Sequence, residues 1–331
     1  MPLPPPVQAD SALALLASAA DAHPTNPFLT TAYARSRERL GERLYMFSTA
    51  ENSGPEAWCP AFLQRRRYGA AIEFPSLTVL GDSAAFVDSV TQFCNTTGTI
   101  EIGLHTFGLA HSVVAPDLAA FGGETARHHR REFLIKLASD DILAKLSRSH
   151  RQRVRQAQRA GLLLERRRDV AACTEHALLM SQSMARRRAR GEDAPGDAQT
   201  TPLLAMLETG AGELFRAVRD GQVLSSMLVL RAERGGYDQS SGSSPEGMTA
   251  GAAQFLIYET AEALRAEGSA VLNLGGVRPD ETGLRDFKSH FGGTEIESEA
   301  TDTLRPTTLL KVSGAVRSLL AGARRVSTPP L

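Results

Sequence analysis

Cysteine is scarce in this sequence, and its scarcity excludes two kinds of site. The 331 residues include three cysteines that lie far apart along the chain: Cys59, Cys94 and Cys173. An odd and widely spaced set forms neither a disulfide scaffold nor a zinc site of the CxxC type. Such sparing use of cysteine is typical of a reducing compartment, so we expect a cytoplasmic protein with no bound metal.

Long apolar runs and an excess of one charge are also missing. The longest apolar stretch, Ala12–Ala20, has no basic residue before it and is far shorter than the roughly 20 residues of a spanning helix. We therefore expect neither a signal peptide nor membrane insertion. The 37 basic residues balance the 37 acidic ones, which excludes a uniformly basic nucleic-acid coat protein. Hydrophobic residues form 42% of the chain, enough for a globular core.

The predicted elements fall into two domains. We divide the chain into a leader with one helix, two domains and a tail: residues 1–24, 25–139, 140–312 and 313–331. In the second domain, Asp220-Gly221 separates two apolar runs and predicts a β-hairpin. We expect a helix from a cap at Ser139 or Asp140 to about residue 160, and an edge strand at Thr294–Ser298. Both domains mix helices with strands, so we predict an α+β fold on mixed sheets.

Zero net charge hides a strongly basic segment between Lys145 and Arg190. It contains 13 basic residues and three acidic ones. Four arginines recur at helical spacing and form one stripe: Arg148, Arg151, Arg155 and Arg159. An apolar stripe on the same segment is expected to face the core: Leu143, Leu146, Val154 and Ala157. Two further clusters are Arg166–Arg168 and Arg186–Arg188. These arginines predict either a solvated face or a binding surface for a phosphate-rich partner, and RNA fits better than one coenzyme.

Three motifs in the second half occur in a recognisable order. The first is S-x-x-x-R-x-x-x-x-x-A-x-x-x-G, which begins at Ser147. The second is the strand-to-loop segment Leu272–Gly276, and the third is G-L-x-x-F-K-x-x-F-G-G at Gly283–Gly293. Together they resemble the motifs of the Fem-type (FemABX-like) aminoacyl-tRNA-dependent transferases, and the resemblance covers about Asp140 to Ser298.

The resemblance implies two GNAT-like (acyl-CoA N-acyltransferase-like) domains, each a mixed β-sheet flanked by helices. Members of this family transfer an amino acid from aminoacyl-tRNA to an amine without a ribosome. Their acceptors include peptidoglycan precursors and small peptide antibiotics, among them a uridyl-peptide antibiotic that receives alanine. A wider branch of the fold uses acyl-CoA.

Two segments help to choose among these activities. Gly247–Ala252 lacks the Q/R-x-x-G-x-G/A pattern that holds the pyrophosphate of acyl-CoA, and this disfavours an acyl-CoA donor. Gly196–Pro202 is small and carries one charge, which disfavours a nucleotide-linked cell-wall acceptor. We therefore predict a monomeric aminoacyl-tRNA-dependent peptidyltransferase that acts on the amine of a small peptide or peptidyl-nucleoside and needs no cofactor. The alternatives are an acyl-CoA-dependent N-acyltransferase and a non-catalytic RNA-binding protein.

The resemblance also implies roles for individual residues. Lys288, expected on a helix surface, would stabilise the oxyanion or the terminal phosphate of tRNA. Phe287 would stack on the 3′-terminal adenosine, unless it is buried together with Phe291. From their residue type alone, and not from the resemblance, Tyr237 and Tyr258 are expected either to line a peptide pocket or to belong to the core. Asp238 is assigned to the same pocket. The general base is left open among three carboxylates, Asp238, Glu259 and Asp280, and a substrate-assisted route through the tRNA. The four arginines of the stripe would contact the tRNA backbone.

Overall fold

The structure is a computed structural model. It describes residue 3 and residues 5–305, except positions 9, 50–57, 78–82, 110–115, 117, 139–140, 193 and 195. The tail predicted at 313–331 and the predicted helix caps Ser139 and Asp140 lie outside the described residues. None of the described helices combines the length and apolarity needed to cross a bilayer.

The first half contains three helices and six strands among the described residues. They are β1 (Val7–Gln8), α1 (Asp10–Ala22), α2 (Thr31–Arg39), β2 (Arg43–Ser48), β3 (Trp58–Arg66), β4 (Gly69–Phe74), α3 (Ser83–Thr97), β5 (Thr99–Leu104) and β6 (Glu124–Lys136). A short 3₁₀ helix, Pro27–Leu29, precedes α2. Side chains set both of these starts, because Asn26 accepts a hydrogen bond from Phe28 N and Thr30 accepts one from Tyr33 N.

The second half repeats this order with four additional helices: two before its first strand, one after its three antiparallel strands and one between its last two strands. Its elements are α4 (Ile142–Lys145), α5 (Arg148–Arg159), β7 (Leu163–Arg167), α6 (Val170–Ala189), α7 (Thr200–Glu208), β8 (Gly212–Arg219), β9 (Gln222–Arg231), β10 (Gly235–Ser243), α8 (Pro245–Ala250), α9 (Ala252–Ala266), β11 (Val271–Val277), α10 (Thr282–Ser289) and β12 (Thr294–Leu304). Each half thus runs strand, two helices, three antiparallel strands, a helix and two strands.

The two halves share one mixed sheet and exchange their last strands. Within the described residues the strand order is β1-β2-β3-β4-β5-β12-β6-β11-β10-β9-β8-β7. β6, from the first half, pairs with β11, while β12, from the second half, pairs with β5. The predicted edge strand at Thr294–Ser298 is therefore wrong in its position, because β12 extends to Leu304 and lies between β5 and β6. The predicted domain limits stay a prediction.

Two local predictions have different outcomes. The hairpin is confirmed: Asp220 and Gly221 join β8 to β9 with positive φ angles of 51° and 77°. The single helix expected up to residue 160 is two helices, α4 and α5. Asp141 caps α4 by accepting a hydrogen bond from Ala144 N, and Ser147 caps α5 by accepting one from His150 N. A second cap inside the segment begins a new helix.

Candidate active site

A cleft opens where the parallel strands β10 and β11 separate. Their pairing ends at Tyr237 opposite Asn273, and β10 has a bulge between Asp238 and Ser240. In the first half, the equivalent strands β4 and β5 do not separate in this way. His105, the residue after β5, donates a main-chain hydrogen bond from its N to O of Phe74, the last residue of β4, at 2.8 Å. The separation of two strands leaves a space that a ligand can occupy. The candidate site is therefore in the second half.

The cleft has a volume of about 1380 Å³, and both halves contribute to its walls. Its second-half walls are β10, the end of β11, α6 and α10, and its first-half wall includes Phe28, Tyr33 and Phe107. Four of the predicted site residues line it: Tyr237, Asp238, Phe287 and Lys288. A space of this size at the junction of two units is typical of a substrate site.

Lys288 is buried, so its expected place on a helix surface is wrong. Its side chain is on α10, the residue is 8% exposed, and its ammonium group donates hydrogen bonds to three main-chain carbonyls at the end of β11. The acceptors are Leu274, at 2.5 Å, Gly275, at 3.2 Å, and Gly276, at 3.3 Å. Burial lowers the pKa of Lys288, and the charge of Asp238 opposes this shift. The lysine therefore fixes the segment that forms one rim of the cleft.

Asp238 is a cleft carboxylate with a raised pKa. Burial raises its pKa from 3.8 to about 6, against the opposing charge of Lys288 and the hydroxyl of Ser241. Ser241 Oγ lies 2.7 Å and 2.8 Å from the two carboxylate oxygens and donates to them. A carboxyl group with a pKa near neutrality can accept a proton from a substrate and release it again.

A buried carboxylate that the sequence analysis missed, Glu132, ties the two halves together behind the cleft. Glu132 is on β6 and is 1% exposed. It accepts hydrogen bonds from Tyr237 Oη at 2.9 Å, Asn273 Nδ2 at 2.7 Å and Gly108 N at 3.2 Å. Asn273 Oδ1 in turn accepts from Gly275 N at 2.8 Å. Tyr237 is therefore fixed at the back of the cleft, and the turn at Gly275 is held from both sides.

The other aromatic predictions separate into two groups. Phe291 is fully buried, while Phe287 is half-buried between the rings of Phe291 and His150, at centroid distances of 5.3 Å and 5.2 Å. Phe287 therefore packs in the core with one side and lines the cleft with the other. Tyr258, on α9, does not line the cleft, although its neighbour Ile257 does. The structure does not bring Tyr258 together with the other predicted site residues.

Of the two carboxylates weighed with Asp238, Glu259 lies outside the cleft and Asp280 lines it. Glu259 accepts a hydrogen bond from Gln158 Nε2 on the outer side of α9, at 3.0 Å. Asp280 is at the mouth of the cleft, where its carboxylate lies 3.4 Å from Arg278 Nε. Asp238 lines the cleft from β10, and burial raises its pKa to about 6.

The arginine stripe lies on α5, outside the cleft lining. Arg148, Arg155 and Arg159 are exposed, and Arg151 Nη1 donates to Ala144 O at 2.8 Å. Val154 and Ala157, on the opposite face, are fully buried as predicted. No described acidic side chain forms an ion pair with any of the four arginines. The stripe therefore presents uncompensated positive charge.

The two arginine triplets differ from the stripe, because acidic residues pair with five of their six members. Arg166 pairs with Glu213, at 2.5 Å, and also with Glu267. Arg187 pairs with Glu192, at 2.8 Å, and also with Glu281. The expectation that the triplets enlarge the phosphate-binding surface is therefore not supported by their geometry. The charge count over residues 145–190 could not reveal acidic partners that lie on other elements of the fold.

Helix α8 occupies the segment where the acyl-CoA pattern is missing. Gly247 N donates to Ser244 Oγ and Met248 N donates to Ser244 O, both at 3.0 Å. A Cβ atom at Gly247 would lie 2.2 Å from Leu224 O, so this turn packs directly on β9. These amides are engaged within α8 and are not free to hold a pyrophosphate.

His176 is a second buried polar group that the sequence did not reveal. It lies on α6 and is fully buried, and its two ring nitrogens are each 2.9 Å from a hydroxyl oxygen, of Ser226 and of Ser240. Burial lowers its pKa to about 4, so the ring is neutral at physiological pH. Ser240 lines the cleft, and His176 therefore orients a hydroxyl group in its wall.

Comparisons with known proteins agree with this architecture. Residues 144–289 match the family model of the acetyltransferase (GNAT) domain. The structure is similar to that of FemX, with a TM-score of 0.65 and 15% identity over 89% of this chain and 96% of that chain. It is also similar to a tandem GNAT protein from the clavulanic acid biosynthesis pathway, with a TM-score of 0.53 and 13% identity over 92% and 98% of the chains.

A third similar structure is the C-terminal domain of a putative lysylphosphatidylglycerol synthetase from Agrobacterium fabrum. The TM-score is 0.51 and the identity 16%, over 93% of this chain and 97% of that chain. No curated protein sequence gives a significant match. The predicted fold class is confirmed: the chain has a GNAT-type fold on a large mixed sheet flanked by helices.

Proposed function

We propose that the protein is an aminoacyltransferase that moves an amino acid from tRNA to the amine of a small peptide or peptidyl-nucleoside. The GNAT domain match and the likeness to FemX support a transferase. The observation that carries the proposal is the position of Asp238, a carboxyl group with a pKa of about 6 in the cleft between β10 and β11. Such a group is suited to deprotonate an attacking amine.

The reaction needs positioning and one proton acceptor. The neutral amine attacks the ester carbonyl, the new C–N bond forms, and the Asp238 carboxylate takes a proton from the nitrogen. The tetrahedral intermediate then expels the ribose oxygen, which leaves with the proton that Asp238 returns. An aminoacyl ester is already activated, so the reaction proceeds without a covalent enzyme intermediate.

Lys288 supports this reaction by holding the rim of the cleft. Its three hydrogen bonds to Leu274, Gly275 and Gly276 orient the peptide planes beside Asp238. Its positive charge also favours negative charge that develops in the same cleft. Phe287, on the adjacent position of α10, offers the exposed part of its ring to the terminal base of the donor.

Two features favour tRNA as the donor. The unpaired arginines of α5 lie outside the cleft, where they could bind the phosphate backbone of a tRNA whose 3′ end enters the cleft. Helix α8 uses amide groups that an acyl-CoA pyrophosphate would need. The second candidate, an acyl-CoA-dependent N-acyltransferase, is favoured by the acetyltransferase family match over residues 144–289.

A transfer assay with two donors distinguishes these candidates. Purified protein is incubated with an amine acceptor and either total aminoacyl-tRNA or acetyl-CoA, each with and without prior RNase treatment. We expect product from aminoacyl-tRNA that disappears after RNase treatment. Equal product from acetyl-CoA, insensitive to RNase, would establish the second candidate instead.

A further inference from the structure

The first-half wall of the cleft defines the acceptor. We propose that the acceptor carries an aromatic or large aliphatic group next to its reactive amine and carries no phosphate. This inference rests on the proposed function for the identity of the reaction, but it concerns a binding site that can be measured without the donor.

An aromatic cluster forms part of this wall. The ring of Phe28 lies 4.9 Å from that of Tyr237 and 5.2 Å from that of Tyr33, and Phe107 is 5.9 Å away, all between ring centroids. All four rings line the cleft. Phe28 and Tyr237 are buried, and Glu132 accepts the hydrogen bond of the Tyr237 hydroxyl, so neither ring offers an unpaired polar group to the cavity. Edge-to-face clusters of this kind favour another aromatic or aliphatic group.

Helix α6 supplies the opposite side of the same space. Met180 and Met184 lie one helical turn apart and both line the cleft. α6 approaches β10 closely, since a Cβ atom at Gly242 would lie 2.5 Å from Met180 N. Methionine side chains adapt to irregular apolar ligands. The space between α6 and the aromatic cluster is therefore an apolar subsite, which we define by Phe28, Phe107, Met180 and Met184.

Four of the five arginines that line the cleft face carboxylates, and the fifth, Arg130, lies over the ring of Phe107 with its guanidinium carbon 4.9 Å from the ring centroid. Arg37 lies 2.7 Å from Glu42 and 2.6 Å from Glu73, so two carboxylates face one guanidinium group. At the mouth, Arg187 and Arg278 both face Glu281, the latter pair at 3.7 Å. A phosphate would have to displace these carboxylates. The ammonium form of an amine, by contrast, is attracted by Asp238 and by the excess carboxylate beside Arg37.

Direct binding of model amines, measured by titration calorimetry without donor, tests this inference. We expect phenylalaninamide to bind at least about 10-fold more tightly than alaninamide, because a buried aromatic ring contributes that much or more. UDP-glucosamine should bind no more tightly than glucosamine. Equal affinity of the two amides, no measurable binding of phenylalaninamide, or tighter binding of UDP-glucosamine would overturn the inference.

A pair of methionine variants locates the subsite. Met184→Gln should weaken phenylalaninamide binding about fivefold and leave alaninamide binding unchanged. The matched control is Met248→Gln, at a residue that is 52% exposed and outside the cleft lining, and it should change neither affinity. The same loss in both variants would overturn the assignment.

The inference and the proposed function can fail separately. Tight, selective amide binding without RNase-sensitive transfer would refute the proposed function alone. Transfer without selectivity would refute the subsite alone.

Discussion

The ammonium group of Lys288 donates a hydrogen bond to the carbonyl oxygen of Leu274 at 2.5 Å, and this contact joins α10 to the end of β11. Two more carbonyls, of Gly275 and Gly276, accept from the same nitrogen. All three N–H bonds of the lysine are therefore used inside the protein. The residue that the family resemblance singled out for catalysis is also a structural anchor of the cleft.

Replacing Lys288 by Met should consequently lower stability as well as activity. Three buried carbonyls lose their donor, and we expect the free energy of unfolding to fall by about 2–4 kcal/mol in urea titrations. Lys136→Met, at an exposed lysine on β6, is the matched control and should change it by less than about 0.5 kcal/mol. A Lys288→Met protein as stable as the control would show that these hydrogen bonds contribute little.

The pH dependence of transfer should report the carboxyl group of Asp238. Its pKa is raised to about 6, so the proton-accepting form dominates above that pH and is lost below it. With kcat/KM expressed per concentration of neutral amine, we expect a plateau above about pH 7, about half of that value near pH 6, and a fall of about tenfold per pH unit below about pH 5. A profile that stays level between pH 8 and pH 5 would exclude Asp238 as the base.

The hydrogen bond between Tyr237 and Glu132 should be measurable in stability. Tyr237→Phe removes one of the three donors of a buried carboxylate, and we expect a loss of about 1–2 kcal/mol in the free energy of unfolding. Tyr258→Phe, at a half-buried tyrosine outside the cleft, should be near neutral. An equal change in the free energy of unfolding in the two variants would show that the hydrogen bond from Tyr237 to Glu132 does not stabilise the protein.

The arginine stripe on α5 should determine the salt dependence of tRNA binding. Changing Arg148, Arg151 and Arg155 together to Gln should weaken binding and reduce the log–log salt slope by about 0.7–0.9 for each lost phosphate contact. The apolar face of α5 is untouched, and Gln has nearly the helix propensity of Arg, so the fold should persist.

A charge-matched control separates local contacts from net charge. The variant with Arg35, Arg43 and Arg65 changed to Gln removes three exposed arginines from the first half. It should leave most of the salt slope intact. Equal slopes for the two triple variants would show that α5 is an ordinary solvated surface.

Local signals were enough to predict many of the elements. Asp220-Gly221 identifies its hairpin because both residues adopt the positive φ that this turn requires. The apolar stripe of α5 likewise indicates its buried face, with Val154 and Ala157 at the core. β3 and β7 were missed, because Trp58–Arg66 and Leu163–Arg167 contain charged ends and no clear alternation.

Long-range relationships account for what the sequence could not predict. β12 has the polar composition of an edge strand, yet it pairs with β5 on one side and with β6 on the other. Tyr258 was assigned to the pocket by its residue type alone, and the direction of its side chain depends on how α9 packs. Glu132 and His176 had no sequence signal, because their side-chain partners lie at least 50 residues away along the chain.

The most direct test of the proposed reaction compares Asp238→Asn with the wild-type protein in single-turnover transfer from saturating aminoacyl-tRNA to phenylalaninamide at neutral pH. The matched control is Asp220→Asn, because the side chain of Asp220 is 95% exposed in the hairpin turn. Our account predicts a rate at least about 10²-fold lower for Asp238→Asn, with the tRNA affinity of the wild type and a wild-type rate for Asp220→Asn. A wild-type rate in a folded Asp238→Asn protein would contradict it.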